Sequence, residues 1–224
     1  MAGAYNPSVD IARRCAWVLA AVPPGVTVVA ATKGRTVEEV RAAVEGGIRH
    51  LGENYVQEAE RKRAALPVSL TWHMIGRLQK NKVRPAVQTF DWVQTVDSPE
   101  LALRLSHVAV EVGKVVPVLI QVNTGREPQK AGALPEDVLA LAGAVRALPG
   151  LSLRGLMALP PEPKVPEDSR PHFRALRKLY DELRATDPGV DTLSMGMSAD
   201  WEVAVEEGAT MIRLGTFLFG PRPG

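Results

Sequence analysis

The chain has one cysteine, Cys15, in 224 residues. It can form no internal disulfide and no Cys-based zinc cluster. Its four histidines show no metal-ligand spacing such as H-x-x-x-H. Aromatic residues are sparse, at 5%. No interleaved stacking surface therefore accompanies the basic stretch Arg77 to Lys82, and no nucleic-acid partner is expected. No apolar run approaches the roughly 18 residues that cross a bilayer, so no membrane partner is expected either. Charge of one sign is also missing: 27 Lys and Arg face 25 Asp and Glu, for a net +2. That balance argues against a polyanion-binding tail, while a pI of 8.8 allows small anionic ligands. Glycine (19) and proline (18) are slightly rich but follow no repeat.

What is present suits one globular domain over residues 1–224. Hydrophobic residues make up 46%, and the chain can bury a core without staples. Arg13-Arg14 before an apolar stretch faintly resembles a secretion signal, but Asp10 and Pro23-Pro24 fit that badly. An amphipathic N-terminal helix fits better. Ile11, Cys15, Val18, Leu19 and Val22 share one helical face, with Ser8 as N-cap. The expected compartment is the cytoplasm.

Eight apolar runs alternate with helical stretches. The strands are expected near 26–31, 50–53, 70–75, 92–96, 117–122, 151–159, 192–197 and 211–219. Helices are expected at 37–45, 56–65, 78–87 (bent at Pro85), 99–112, 134–148, 170–185 and 200–207. Thr36 and Glu39 form a capping box, and Ser98 caps a helix with Pro99 at its first position. A Pro-rich loop is expected over 160–168. Continuous apolar strands joined by helices imply a parallel sheet buried on both faces. Eight even repeats favour a closed (β/α)8 TIM barrel over an open doubly wound sheet. The four tryptophans all sit in apolar runs, where core packing is the expected role.

In a barrel, chemistry sits at the C-terminal ends of the strands. Lys33 stands there alone after five apolar residues. An amine that has lost part of its hydration suits attack on a carbonyl. Ser194-Met195-Gly196-Met197-Ser198 and Gly215-Thr216 follow strands seven and eight, where barrels often bind phosphate. Their amides and hydroxyls suit a dianion. Arg213 is a cation inside an apolar strand and needs either a carboxylate partner or a ligand. Asp200 and Glu202 read as surface acids at a helix start, and Glu53 and Glu58 as favourable acids near another. Asn54 and His73 lie at strand ends.

Five motifs occur in order: Ala31-Thr32-Lys33, Gly52-Glu53-Asn54-Tyr55-Val56-Gln57-Glu58, His73-Met74-Ile75-Gly76-Arg77-Leu78-Gln79-Lys80-Asn81-Lys82, Ser194-Met195-Gly196-Met197-Ser198-Ala199-Asp200, and Arg213-Leu214-Gly215-Thr216-Phe217-Leu218-Phe219-Gly220. Together, over roughly residues 28–220, they resemble the pyridoxal phosphate homeostasis (YggS/PROSC) family. The resemblance implies a fold-type III barrel, like the N-terminal domain of alanine racemase, holding pyridoxal 5′-phosphate (PLP) as a lysine aldimine. It places Lys33 as the Schiff-base lysine and Ser198, Gly215 and Thr216 at the phosphate. It puts Arg213 facing the pyridine nitrogen, with Asn54, His73 and Met195 around the ring and mouth. It implies a monomer that holds PLP for apo PLP-dependent enzymes and balances vitamin B6 and amino-acid pools without strong turnover.

The chain departs from the family pattern around Lys130, where Ala131 follows it, which leaves open whether Lys130 is a second PLP site. Two other functions compete. A PLP-dependent racemase would need a second base, with Tyr55 a candidate, and the chain has no room for a further domain after Gly220. A cofactor-free Schiff-base aldolase would use Lys33 and leave the protein colourless.

Overall fold

The computed structural model describes residues 7–221. Eight strands close into one barrel in sequential order: β1 (Thr27–Ala31), β2 (His50–Glu53), β3 (Thr71–Met74), β4 (Trp92–Val96), β5 (Val116–Val122), β6 (Leu151–Ala158), β7 (Thr192–Ser194) and β8 (Met211–Leu214). Every pairing is parallel. Ala30 sits between Leu51 on β2 and Leu214 on β8, which is the closure. Helices α1 (Pro7–Ala21), α2 (Val37–Glu45), α3 (Val56–Ala65), α4 (Val83–Thr89), α5 (Pro99–Glu111), α6 (Val138–Arg146), α7 (Arg170–Thr186), α8 (Trp201–Glu206) and α9 (Thr216–Phe219) complete the chain.

The apolar strands are explained by two buried faces. Val28 and Ala30 join the hydrophobic layer under the helices. Val29 points the other way, into the barrel. There a side chain added at Gly52 would meet Val29 at 3.0 Å and Ile75 at 2.7 Å. Glycine at 52 therefore leaves the space that the Ile75 and Val29 side chains fill. The capping signals hold as read. Thr36 and Glu39 exchange both capping-box bonds, and Ser98 accepts from the Leu101 amide.

Several boundaries differ from the sequence reading. α1 starts at Pro7, so Ser8 lies in its first turn and is not the N-cap. α4 starts at Val83, after a 3-10 turn at Lys80–Lys82. That places Pro85 in the first turn, where a missing N–H costs no bond and no bend is needed. α6 likewise starts at Val138, after a 3-10 turn at Pro135–Asp137. The loop over 160–168 ends in a 3-10 turn, Pro166–Ser169. β7 ends at Ser194, because Gly196 takes φ +92° and turns the chain. β8 ends at Leu214, and the apolar run that follows is α9. Trp17 is 55% exposed and so is not a core residue; it stacks on Phe217 at 5.8 Å. Trp72 and Trp201 are buried.

Candidate functional site

The loop after β1 carries Lys33, and four contacts from β2 and α3 hold it. The Thr32 amide donates to the Gly52 carbonyl at 2.9 Å. The Thr32 hydroxyl donates to Glu53 Oε1 at 2.6 Å. Lys62 Nζ donates to the Thr32 carbonyl at 2.6 Å and to Glu53 Oε1 at 2.5 Å. The Gly34 amide donates to Glu58 Oε2 at 3.1 Å. Glu53 is fully buried and Lys62 nearly so. Glu53 is thus not an exposed helix-start acid; it anchors the lysine loop. Burial pushes its carboxyl above the usual range, while Lys62 and Thr32 oppose that shift.

Lys33 itself is half-buried, with Nζ 5.3 Å from the centre of the exposed Tyr55 ring. It opens on a cavity of about 180 Å³ lined by Ala31, Lys33, Arg35, Asn54, Gly215 and Thr216. No carboxylate lines this cavity. Small residues make the room, since a side chain added at Gly215 would meet nothing nearer than Ala31 at 3.6 Å. Arg35 is occupied by Glu39 and by the Gly220 and Pro221 carbonyls. Among the described residues, the side chains of Lys33, Asn54 and Thr216 make no hydrogen bond to the protein.

Ser198 Oγ accepts the amides of Gly215 at 3.1 Å and Phe217 at 3.0 Å. It ties the loop after β7 to the start of α9, beside the cavity. With both acceptor positions used, its hydroxyl hydrogen is the group left to donate. Asp200 is buried, contrary to its sequence reading as a surface acid. It accepts from the Met197 amide at 2.7 Å and the Ser169 hydroxyl at 2.6 Å. It shapes the Ser198 loop from behind.

Arg213 is 3% exposed and has no carboxylate within ion-pair distance among the described residues. Its guanidinium donates to Ser194 Oγ at 2.6 Å and to the Ala158 carbonyl at 2.8 Å. Burial pulls its pKa below the usual arginine range, and the Asp200 charge opposes this. Arg213, His73 and Met195 do not line the cavity. His73 is fully buried in the barrel, against His50 at 3.0 Å and Gln94 at 3.1 Å. Burial, followed by the neighbouring His50, pushes its pKa down to about 3. Met195 is buried in the hydrophobic layer. Lys130 is engaged by Glu127 at 2.6 Å and the Pro160 carbonyl at 3.1 Å.

The alanine racemase N-terminal domain model matches residues 10–223. A pyridoxal phosphate homeostasis protein of Pseudomonas aeruginosa is 47% identical over 203 residues, covering 89% of this chain and 86% of the relative. The chain belongs to the pyridoxal phosphate homeostasis protein family. Another member, from Aquifex aeolicus, is 44% identical over 194 residues, covering 86% of this chain and 85% of the relative. The family member PipY of Synechococcus elongatus, solved with PLP bound, superposes with a TM-score of 0.86 at 42% identity. It covers 94% of this chain and 100% of its own. An alanine racemase of Clostridium difficile shares the barrel with a TM-score of 0.80 but only 15% identity. This chain corresponds to 57% of that enzyme. The homeostasis family and the PLP-type barrel, both expected from the five motifs, are borne out.

Sequence reasoning missed Lys62, Gln94 and Ser194 as parts of the site's support. Their partners lie 9 to 100 residues away, and no local spacing signals such pairs.

Proposed function

We propose that this chain holds PLP through Lys33 and releases it to apo PLP-dependent enzymes, serving B6 and amino-acid balance without strong turnover. The observation that carries the reading is the trio Lys33, Asn54 and Thr216. These are polar side chains with no protein partner, around one carboxylate-free cavity. The donor set fits an anionic aldehyde. When bound, PLP supplies the aldehyde carbonyl that an amine can attack. Lys33 provides the amine, and the four loop contacts hold its backbone in place. The Ser198 and Thr216 hydroxyls would face the phosphate, in the room left by the absent side chain of Gly215. Asn54, just after β2, would contact the bound molecule from the cavity wall. Arg213 keeps its protons at neutral pH and cannot protonate a pyridine nitrogen. The ring then remains a weaker electron sink than one paired with Asp, which suits holding more than turnover. The relatives' shared name and the PLP-bound PipY support this reading.

No described helix is long and apolar enough to cross a membrane. We place the protein in the cytoplasm as a monomer, without nucleic-acid or membrane partners. The test is borohydride reduction after PLP incubation, followed by peptide mass mapping. The expected result is one adduct, on Lys33, absent from Lys33→Ala. Adducts spread evenly over surface lysines would overturn the reading. Tyr55, close to Lys33, carries a second reading of weak racemase-type activity. It is tested by α-hydrogen exchange of an amino acid in deuterated water, compared with Tyr55→Phe.

A further inference from the structure

We propose that Ser194, Gln94 and His73 are positioning residues for Arg213. They form a one-way hydrogen-bond chain that fixes the guanidinium and ends at His50, at the opposite end of the barrel from Lys33. The inference rests on the reading that Arg213 faces the cofactor.

The chain crosses five strands. Arg213 on β8 donates to Ser194 Oγ on β7 at 2.6 Å. Ser194 Oγ donates to Gln94 Oε1 on β4 at 2.7 Å. Gln94 Nε2 lies 3.1 Å from His73 Nδ1 on β3. His73 Nε2 lies 3.0 Å from His50 Nδ1 at the start of β2. His50 is half-buried; the four other members are buried.

Donor chemistry gives the chain its direction. A guanidinium has hydrogens and no acceptor. Ser194 must therefore accept from Arg213, and its own hydrogen turns to Gln94. That sets Gln94 with oxygen toward Ser194 and nitrogen toward His73. The second Gln94 amide hydrogen reaches Met211 Sδ at 3.1 Å, and a thioether sulfur only accepts. The Met211 contact thus orients the amide the same way, independently of Arg213. His73 Nδ1 must then accept, so its proton sits on Nε2 and points at His50 Nδ1. Both imidazoles are neutral, each protonated on Nε2. Burial acts in the same sense on both rings.

The reverse direction leaves members without partners. A proton on His50 Nδ1 would face the proton on His73 Nε2. Relieving that clash would turn over His73, then Gln94, which sets the Gln94 oxygen against the Met211 sulfur and takes away the acceptor of the Ser194 hydroxyl hydrogen. Only one proton arrangement satisfies every member, and it includes a fixed Arg213. On the reading that Arg213 faces the cofactor, the chain holds that cation rigid.

The experiment reads imidazole nitrogen shifts by NMR on the full-length apo protein at neutral pH, with PLP dissociation measured alongside. Wild type is expected to show His50 and His73 as neutral Nε2–H tautomers. Ser194→Ala is expected to mix the His73 tautomers and weaken PLP retention by about 10-fold or more, the scale of a lost hydrogen bond to a charged group. Ser194→Thr keeps the hydroxyl and is expected to restore both. A His73 Nδ1–H tautomer in wild type would overturn the proposal. So would a Ser194→Ala variant in which neither the tautomer nor the retention changes. If the tautomers appear as stated but wild type takes up no PLP, the cofactor reading fails and with it the role toward PLP, while the chain itself stands.

Discussion

Replacing Lys62 by Met tests how the lysine loop is built. Lys62 and Glu53 are 5% and 0% exposed, and Glu53 Oε2 already has no partner. Removing the ammonium leaves a buried carboxylate facing only the Thr32 hydroxyl. Breaking a buried pair from one side costs about 3–5 kcal/mol. At about 2–4 °C per kcal/mol for a chain of this size, the melting temperature should fall by roughly 10 °C. The loss should depend on pH. Glu53 has a raised carboxyl pKa in the folded state. A native state that holds a proton longer than the unfolded chain loses stability as pH rises from about 4.3, the unfolded value, through the folded value. Without Lys62 the folded value climbs further. The deficit against wild type should therefore be larger at pH 7 than near pH 4. The double variant Glu53→Gln/Lys62→Met should recover most of the loss. Calorimetry across that pH range is the assay. A single variant within 1 kcal/mol of wild type at pH 7, or a double variant no better than the single, would refute the reasoning.

Lys33→Ala should change stability by no more than about 0.5 kcal/mol, because its only described contact is the Tyr55 ring; urea titration of the apo protein checks this. Gly155→Ala should lower stability by about 3 kcal/mol or more. At φ +150° its Cβ would fall 1.8 Å from the Thr192 carbonyl oxygen, on the neighbouring strand, and the same titration reads the shift. Cys15 is buried and its thiol is pushed up to about 12 by burial. A colorimetric thiol reagent at pH 8 should leave it unmodified in the native protein and titrate it fully in denaturant. Fast native labelling would show that α1 opens readily.

How much was legible depends on how local the signal is. β2 and α3 read to the residue, because Gly52-Glu53-Asn54-Tyr55 separates a short apolar run from a charged helical one. Caps also read well, since Thr36 and Glu39 are three residues apart. The end of β8 did not. Phe217-Leu218-Phe219 is too short to show a helical period, and only Gly215 marks the break. Glu53 and Asp200 look like surface acids because their decisive partners, Lys62 and Ser169, lie 9 and 31 residues away. Trp17 looks like core because its run is apolar. Its exposure follows from helical phase, since Cys15 and Val18 share the buried face and Trp17 lies roughly 100° or more away from both. Lys33, Asn54, Gly215 and Thr216 were found because barrel topology brings strand ends to one rim whatever their separation in sequence.

The same distinction separates structural polarity from functional polarity in this barrel. His73, Gln94, Ser194 and Arg213 spend their donors on one another, and Glu53 and Lys62 do the same behind the lysine loop. Apart from Glu53 Oε2, which has no partner, these buried groups are answered from within the protein. Lys33, Asn54 and Thr216 lie just past the ends of β1, β2 and β8 and are not answered by the protein. Both sets are polar, so residue type alone cannot rank them. Partner accounting can: a satisfied cluster explains rigidity, whereas an unsatisfied one next to a cavity calls for a ligand. On that criterion His73 belongs to the frame and Lys33 to the binding surface, although the two occupy similar places at their strand ends.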